Sequence, residues 1–337
     1  VMTDHKRHLW IIWIGIIVFC MLTVLISLSV GQYTIPFSHV IHDIFHSSGS
    51  ALTVEEQAVL WDIRMPRTLV GFLVGAGLAV SGAIMQAVFI NPLADPAILG
   101  VSSGASLGAV IAISSGGAAA GFIYIPAFAM IGAVAAVGLT LLLSWKHGKV
   151  RVMTLLLAGI VVGMMCSALV SGILMISTNQ QLHQYLFWTI GGLDYRRWEH
   201  VQLAVGPITA GIIVAVFLAR HLNILILGGT EARALGMRVI LCRLLFLAIA
   251  SLMTAFSVCV SGNIGFVGLA VPHMMRLIVG ADHRNLIPAA AVAGGIFLVL
   301  CDTLGRVLFP VMEIRVGIVT ALLGTPYFLY LLRHKQK

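Results

Sequence analysis

Ten runs of helix length in this chain carry almost no charge, and that pattern decides its solvent. They fall at roughly 9–30, 67–89, 98–115, 121–144, 153–176, 201–220, 239–260, 264–280, 286–304 and 314–332. Crossing a bilayer takes about 20 apolar residues per helix. Of the 337 residues, 60% are hydrophobic and 9% charged, against roughly 25% charged in soluble domains. So apolar a chain cannot hide its surface in one water-facing core. The runs are continuous rather than alternating, which favours helices over a barrel. The expectation is an all-α polytopic membrane protein of about ten transmembrane helices, in one domain over 1–337. Gly, Pro and charge interrupt the eighth and ninth runs, the weakest of the set. The first is too long and too tryptophan-rich for a cleaved signal peptide, so it is expected as a retained helix.

The net charge of +8 reports orientation rather than a nucleic-acid partner. With the N-terminus inside, the cytoplasmic segments hold fourteen Lys and Arg. The outer segments hold six: Arg64, Arg67, Arg196, Arg197, Arg306 and Arg315. That asymmetry is the positive-inside rule, and it makes both termini cytoplasmic. Cys20, Cys166, Cys242, Cys259 and Cys301 lie in or beside apolar runs without a CxxC pair. They read as buried thiols and give no metal or redox signal.

The stretch from Arg64 to Ser106 reads as a membrane hairpin. Two arginines open it, and the polar corner Asn91-Pro92-Leu93-Ala94-Asp95-Pro96 turns it at the cytoplasmic side. Glycines recur at helical spacing at Gly71 and Gly75, at Gly100, Gly104 and Gly108, and at Gly159 and Gly163. Small residues four apart let helix backbones approach closely in lipid. Outside the spans, 31–66 is expected to hold a short surface helix, and 177–200 a helix at the outer interface.

Several motifs need weighing. Gly100-Val101-Ser102-Ser103-Gly104 matches the nucleophile-elbow pattern but follows a proline corner and opens a membrane helix. The elbow needs a strand before it, so Ser102, Ser103 and Ser106 read as packing residues. His39, His42 and His46 share one face of a short helix. With no carboxylate or cysteine completing a shell, they read as surface histidines, and no metal site is expected. No GxxxxGK[ST] phosphate loop occurs, so any ATP-driven step needs another polypeptide.

Segment 226–239, ILGGTEARALGMRV, places Thr230 as a helix cap, Glu231 in the first turn and Gly236 at the end. It reads either as a lever pressed by a partner or as a plain connecting loop. Gly262 to His273 is apolar but broken by Gly262, Gly265, Gly268 and Pro272. Such breaks often line a translocation path, and His273 is a candidate proton relay. Asp302 stands one turn from Arg306, at ion-pair distance. Arg64, Arg67 and Arg306 read as interfacial anchors or as a basic dock for an acidic partner.

Five motifs in order carry a resemblance: R-x-P-R, SGAxMQxxFxNPLADPxxLGVSSGA, GxxEARALG, GFVGLxxPHxxR and GIVTALLGTPYFLYLL. Together, over about 9–333, they resemble the iron-chelate and cobalamin permease family of type II ABC importers. The resemblance implies a homodimer in a bacterial plasma membrane, with the path on its two-fold axis. It implies two cytoplasmic ATPase subunits, which would bind ATP and Mg and dock on the loop at about 221–238. Gly229, Glu231, Ala232, Leu235 and Gly236 would form that coupling surface. A substrate-binding protein would dock on Arg64, Arg67 and Arg306. Asn91 and Leu93 match positions near the cytoplasmic gate. Where the cobalamin member has a polar pair before the LLLAG run, this chain has Val152 and Met153. Gly265, Gly268, Pro272 and His273 match the broken-helix segment.

The resulting expectation is a permease subunit, not itself an enzyme and without a cofactor, that imports ferric siderophore or haem. Cobalamin or an oxyanion is the alternative cargo. An ion-coupled carrier would need intramembrane carboxylates, and the helix centres hold essentially none. An intramembrane hydrolase would use Ser102 or Ser103 with His273.

Overall fold

A computed structural model describes residues 2–45, 52–116, 121–146, 149–150, 152–309 and 312–334. Continuous apolar sequence becomes helix because lipid leaves backbone groups no partner but each other. The helices are α1 (Met2–Ser29), α2 (Phe37–Phe45), α3 (Val54–Ala58), α4 (Met65–Val88), α5 (Val101–Ser114), α6 (Tyr124–Ser144), α7 (Val152–Met175) and α8 (Asn179–Ile190). They continue as α9 (Trp198–Phe217), α10 (Ala219–Ile226), α11 (Gly229–Ala234), α12 (Val239–Ser261), α13 (Val267–Val279), α14 (His283–Val307) and α15 (Val316–His334). A π turn at Val59–Arg64, a 3-10 turn at Pro96–Leu99 and a two-residue ribbon pairing Trp145 with Val150 complete the regular structure among the described residues. Each apolar run has its helix. Among the described residues seven are long and apolar enough to cross a membrane, and Val101–Ser114, Val267–Val279 and Val316–Leu329 are shorter.

Two segments differ from the sequence reading. The stretch before residue 67 is not a separate soluble piece, because helix runs without a break from Val54 to Val88. Thr53 and Glu56 cap its start reciprocally, with Glu56 N–H donating to Thr53 Oγ1 at 3.2 Å and Thr53 N–H to Glu56 Oε2 at 2.9 Å. A π turn at Val59–Arg64 carries the helix up to Pro66. Proline lacks an N–H and crowds the carbonyl four residues back; the wider turn gives that carbonyl room. The second difference lies at Ala219–Ile226, which folds as the separate helix α10 ahead of the short helix α11.

Helix α4 is the axis of the fold. It packs against α9, α12, α13 and α14, and most of its residues are buried. The approach is close because glycine meets backbone. A methyl group at Gly75 would overlap the Gly294 carbonyl, and one at Gly294 would overlap the Gly75 carbonyl. The same reciprocal crossing joins Gly104 of α5 to Gly132 of α6. A methyl at Gly82 would meet the Gly268 carbonyl of α13, and one at Gly159 the Ile98 carbonyl. Gly163 has more room, facing the Ser103 hydroxyl.

Asp282 starts α14, and its carboxylate accepts the Arg284 backbone N–H at 3.0 Å. The Arg284 guanidinium, 2.7 Å away, holds that carboxyl well below the usual carboxylate range, and the Arg284 N–H and Asn223 amide add to the effect. A lowered folded pKa means the contribution is complete above the unfolded value, about 4, and fades as pH falls toward the folded one. The side chain is 35% exposed, so the contribution is at most about 1 kcal/mol. Thermal unfolding followed from pH 6 to 3 should show a slightly shallower decline for Asp282→Asn than for wild type. Parallel declines would mean the carboxylate is not linked to folding.

Candidate functional site

One end of the bundle gathers arginines around three carboxylates. Arg67 makes a forked pair with Asp302, Nε to Oδ2 and Nη2 to Oδ1, both 2.9 Å. Its Nη1 donates to Glu313 at 2.8 Å and its Nη2 to Asp194 at 3.3 Å. Arg306 lies 3.3 Å from Asp302, one turn along α14, and donates to the Ser27 carbonyl and hydroxyl. Arg64 donates to the carbonyls of Leu28, Ser29 and Tyr33, tying α4 to the end of α1. Arg315 reaches Asp194 at 3.5 Å and lies over the Phe187 ring.

The sequence reading sets Arg64, Arg67 and Arg306 as interfacial anchors or as a docking surface. Their exposures are 4%, 7% and 4%. The three guanidinium groups are held by other residues of the chain. In this conformation they bind α1, α4, α14 and the α8–α9 and α14–α15 connections to one another. The Asp302–Arg306 spacing was readable. The share taken by Arg67, Asp194 and Glu313 was not, since 235 positions separate Arg67 from Asp302.

The opposite end holds the proline corner. Asn91 closes it, its side chain accepting the Leu93 N–H at 3.0 Å, and Asp95 accepts the Ala97 N–H at 2.8 Å. Gly100 stands at φ +81°, where a side chain would strain the backbone. Asn91 and Leu93 are exposed, as is Met153 at the start of α7. Val152 is half-buried and lines a small cavity with Val88, Phe89 and Leu155. The structure thus gathers these four residues at one end without packing them into one cluster. Above them α7 leaves Leu157, Ile160, Val161 and Met164 exposed on an uncovered apolar face.

Helix α11 lies at the same end. Its cap is not Thr230 but Gly228, at φ +116°, a conformation glycine adopts without strain, and Thr230 falls inside the helix. Gly236 ends it at φ +80°. Gly229 opens the helix and Glu231 sits in its first turn. Ala232 is fully buried in the core while Leu235 is 63% exposed, so the helix is a foot planted in the bundle with one apolar residue outward. The preceding α10 is fastened to α14. Asn223 Nδ2 donates to Asp282 Oδ1 at 2.7 Å, and Asn223 Oδ1 accepts the His283 backbone N–H at 3.0 Å. This clamp has no signal in the sequence, because nothing local links Asn223 to a residue 59 positions on.

The break before α13 falls at Gly262–Phe266, not at Pro272, which sits inside the helix. Phe266 is at φ +69°, an uncommon backbone for a bulky residue, and packs on Gly324 of α15. Gly265 is exposed. Gly268 and Pro272 are buried against α4, with Gln86 Nε2 donating to the Leu269 carbonyl at 3.2 Å. Arg276 donates to Gln86 Oε1 at 3.0 Å, and His273 is buried. Helix α2 places His39 4.0 Å from Glu56; His46 lies outside the described residues. Among the described residues no three His, Cys, Asp or Glu side chains come together as a metal site would need.

The model of the FecCD transport family matches residues 19–334. The chain is 42% identical, over 280 residues, to the cobalamin import system permease protein BtuC of Halobacterium salinarum, covering 83% of this chain and 74% of that one. It is also 42% identical, over 290 residues, to the hemin transport system permease protein HmuU of Yersinia pestis, covering 82% and 84%. A solved structure described as a metal-chelate type ABC transporter in an inward-facing conformation superposes with TM-score 0.85 at 33% identity, over 96% of this chain and 99% of that one.

Proposed function

The chain belongs to the FecCD transport family, and from that premise we propose that it moves a metal chelate into the cytoplasm as the permease of an ABC importer. The cargo is an iron chelate, haem or a ferric siderophore. Cobalamin is the second reading, because the haem and cobalamin relatives stand at the same 42% identity. ATP is hydrolysed by two partner subunits, and a second copy of this chain completes the pathway. The exposed apolar face of α7 supports that dimer, since Leu157, Ile160 and Met164 are each more than half exposed.

The observation that carries the reading is α11, anchored by Ala232 and outward at Leu235. It supplies a coupling surface for an ATPase at the end assigned to the cytoplasm by charge. Asn91, Leu93, Val152 and Met153 form the inner gate at that end. The arginine end faces out and receives a binding protein. Arg64, Arg67 and Arg306 meet that protein only when released from Asp302, Glu313 and the backbone carbonyls that hold them here.

Proteoliposomes carrying the permease with its ATPase and binding protein should take up haem or cobalamin only when ATP is enclosed with the ATPase. Uptake driven by a proton gradient without ATP would defeat the proposal. Asn223 tests the transmission. Losing hydrogen bonds to buried groups costs about 1–3 kcal/mol, so Asn223→Leu should loosen α10 from α14. The cargo moved per ATP should fall by about tenfold or more, with ATP hydrolysis retained. An unchanged ratio would remove the clamp from the coupling route.

A further inference from the structure

A groove of about 830 Å³ opens between α11, the start of α12 and the ribbon after α6. Arg233, Arg238 and Arg243 line it. Two of them converge on one backbone site. Arg233 Nε donates to the Gly229 carbonyl at 2.8 Å, and Arg243 Nη2 passes 3.7 Å from where a methyl on Gly229 would stand. Among the described residues neither guanidinium has a carboxylate partner, and no acidic side chain lines the groove. Arg243 Nε is buried with no hydrogen-bond partner. Arg233 is exposed and Arg243 half-buried, whereas the buried Arg67 is met by three carboxylates and the buried Arg64 by three carbonyls; Arg196 and Arg306 each also carry a buried Nε without a hydrogen bond, Arg306 lying 3.3 Å from Asp302. Bringing like charges together without an anion is costly, so the groove lacks its counter-charge.

The remaining walls specify the anion's carrier. Val152, Met237 and Leu244 are apolar, which a hydrated inorganic anion would not require. Trp145, 51% exposed at the rim, is the residue type that settles at a membrane–water interface. Leu241, Leu245 and Leu252 of α12 are exposed in a stripe that starts in the groove and runs along the helix. The site therefore offers three cations at headgroup depth and a leucine track beside them. Basic pockets at the cytoplasmic ends of membrane helices suit anionic lipid headgroups.

We propose that this groove binds an anionic phospholipid of the inner leaflet, its phosphate held between Arg233 and Arg243 and an acyl chain lying along Leu241 and Leu245. The inference rests on the orientation given above. It adds to that reading a lipid in contact with α11, the element proposed to meet the ATPase.

The test uses the full-length permease purified in detergent, stripped of lipid, and measured by native mass spectrometry and thermal unfolding. Phosphatidylglycerol should be retained and should raise the unfolding temperature, whereas phosphatidylethanolamine and inorganic phosphate should do neither. Arg233→Gln with Arg243→Gln should lower phosphatidylglycerol retention at least about tenfold, while Arg243→Lys should keep most of it, a phosphate accepting either cation. The lipid preference of the unmutated protein holds the test open if the double variant folds poorly. Equal retention of the neutral lipid overturns the proposal, and a matching effect of inorganic phosphate reduces the site to one for a free anion. Loss of the lipid when the ATPase is added, with Arg233 and Arg243 then contacting that subunit, gives the groove to a protein partner instead. None of these outcomes depends on ATP-driven uptake, so failure here is separable from failure of the transport assignment.

Discussion

Asp302→Ala should lower the stability of the folded permease by about 3–5 kcal/mol, the usual cost of stripping a buried charge of its partner. Two guanidinium groups depend on this carboxylate, Arg67 at 2.9 Å and Arg306 at 3.3 Å, and both are buried. Glu313 and Asp194 would still face Arg67, but Arg306 would keep only neutral acceptors at Ser27 and Thr303. Unfolding of the purified protein by heat or denaturant in a fixed detergent gives the number. The sign of the coupling separates an ion pair from mere packing. Arg67→Met alone should also be severe, yet Arg67→Met with Asp302→Leu should cost much less than the sum of the singles. Additive costs would show that the two side chains do not depend on each other. Transport should suffer too, because the cluster ties α1, α4 and α14 together at the end proposed to face the binding protein.

The second large effect is expected at Gly82, where α4 meets α13. Its Cα lies against the Gly268 carbonyl, so a methyl group there has no space at all. The obstacle is backbone, which cannot rotate away as a side chain can. Overpacking of a tight interface costs about 1–3 kcal/mol and sometimes more. Gly82→Val belongs at the upper end, because α4 is also held by α9, α12 and α14 and cannot retreat. Little folded protein should reach the membrane, and what does should unfold earlier in detergent. Gly163→Ala is the control, since its nearest neighbour, the Ser103 hydroxyl, would be 3.4 Å away. Comparable yields of the two variants would mean that α4 and α13 are not in such close contact.

The helices were legible because lipid turns continuous apolarity into helix with few exceptions. Gly75, Gly104 and Gly159 were legible as approach points, though their partners were not. Where the sequence reading stopped short, the reason is long-range geometry. Arg64, Arg67 and Arg306 look the same in sequence whether they face water or are folded onto carbonyls and carboxylates from other helices. The helix upstream of Met65 was hidden by Asp62, Arg64 and Pro66, which resemble a loop until the π turn accommodates the proline. Thr53 and Glu56 did carry its capping signature. At α11 the Thr230 hydroxyl has the commoner capping chemistry, whereas the φ of +116° that makes Gly228 the cap is visible only in three dimensions. Asn223 gave no local warning of its partnership with Asp282 and His283.

The crossings at Gly75–Gly294 and Gly104–Gly132 have a consequence for any collection of related sequences. At each, both residues are already the smallest available, and each supplies the clearance that the other needs. A larger residue on one side cannot be offset by shrinkage on the other. Such pairs should therefore persist as fixed glycine and show almost no correlated change, so inference of contacts from covariation should be silent where these backbones run closest.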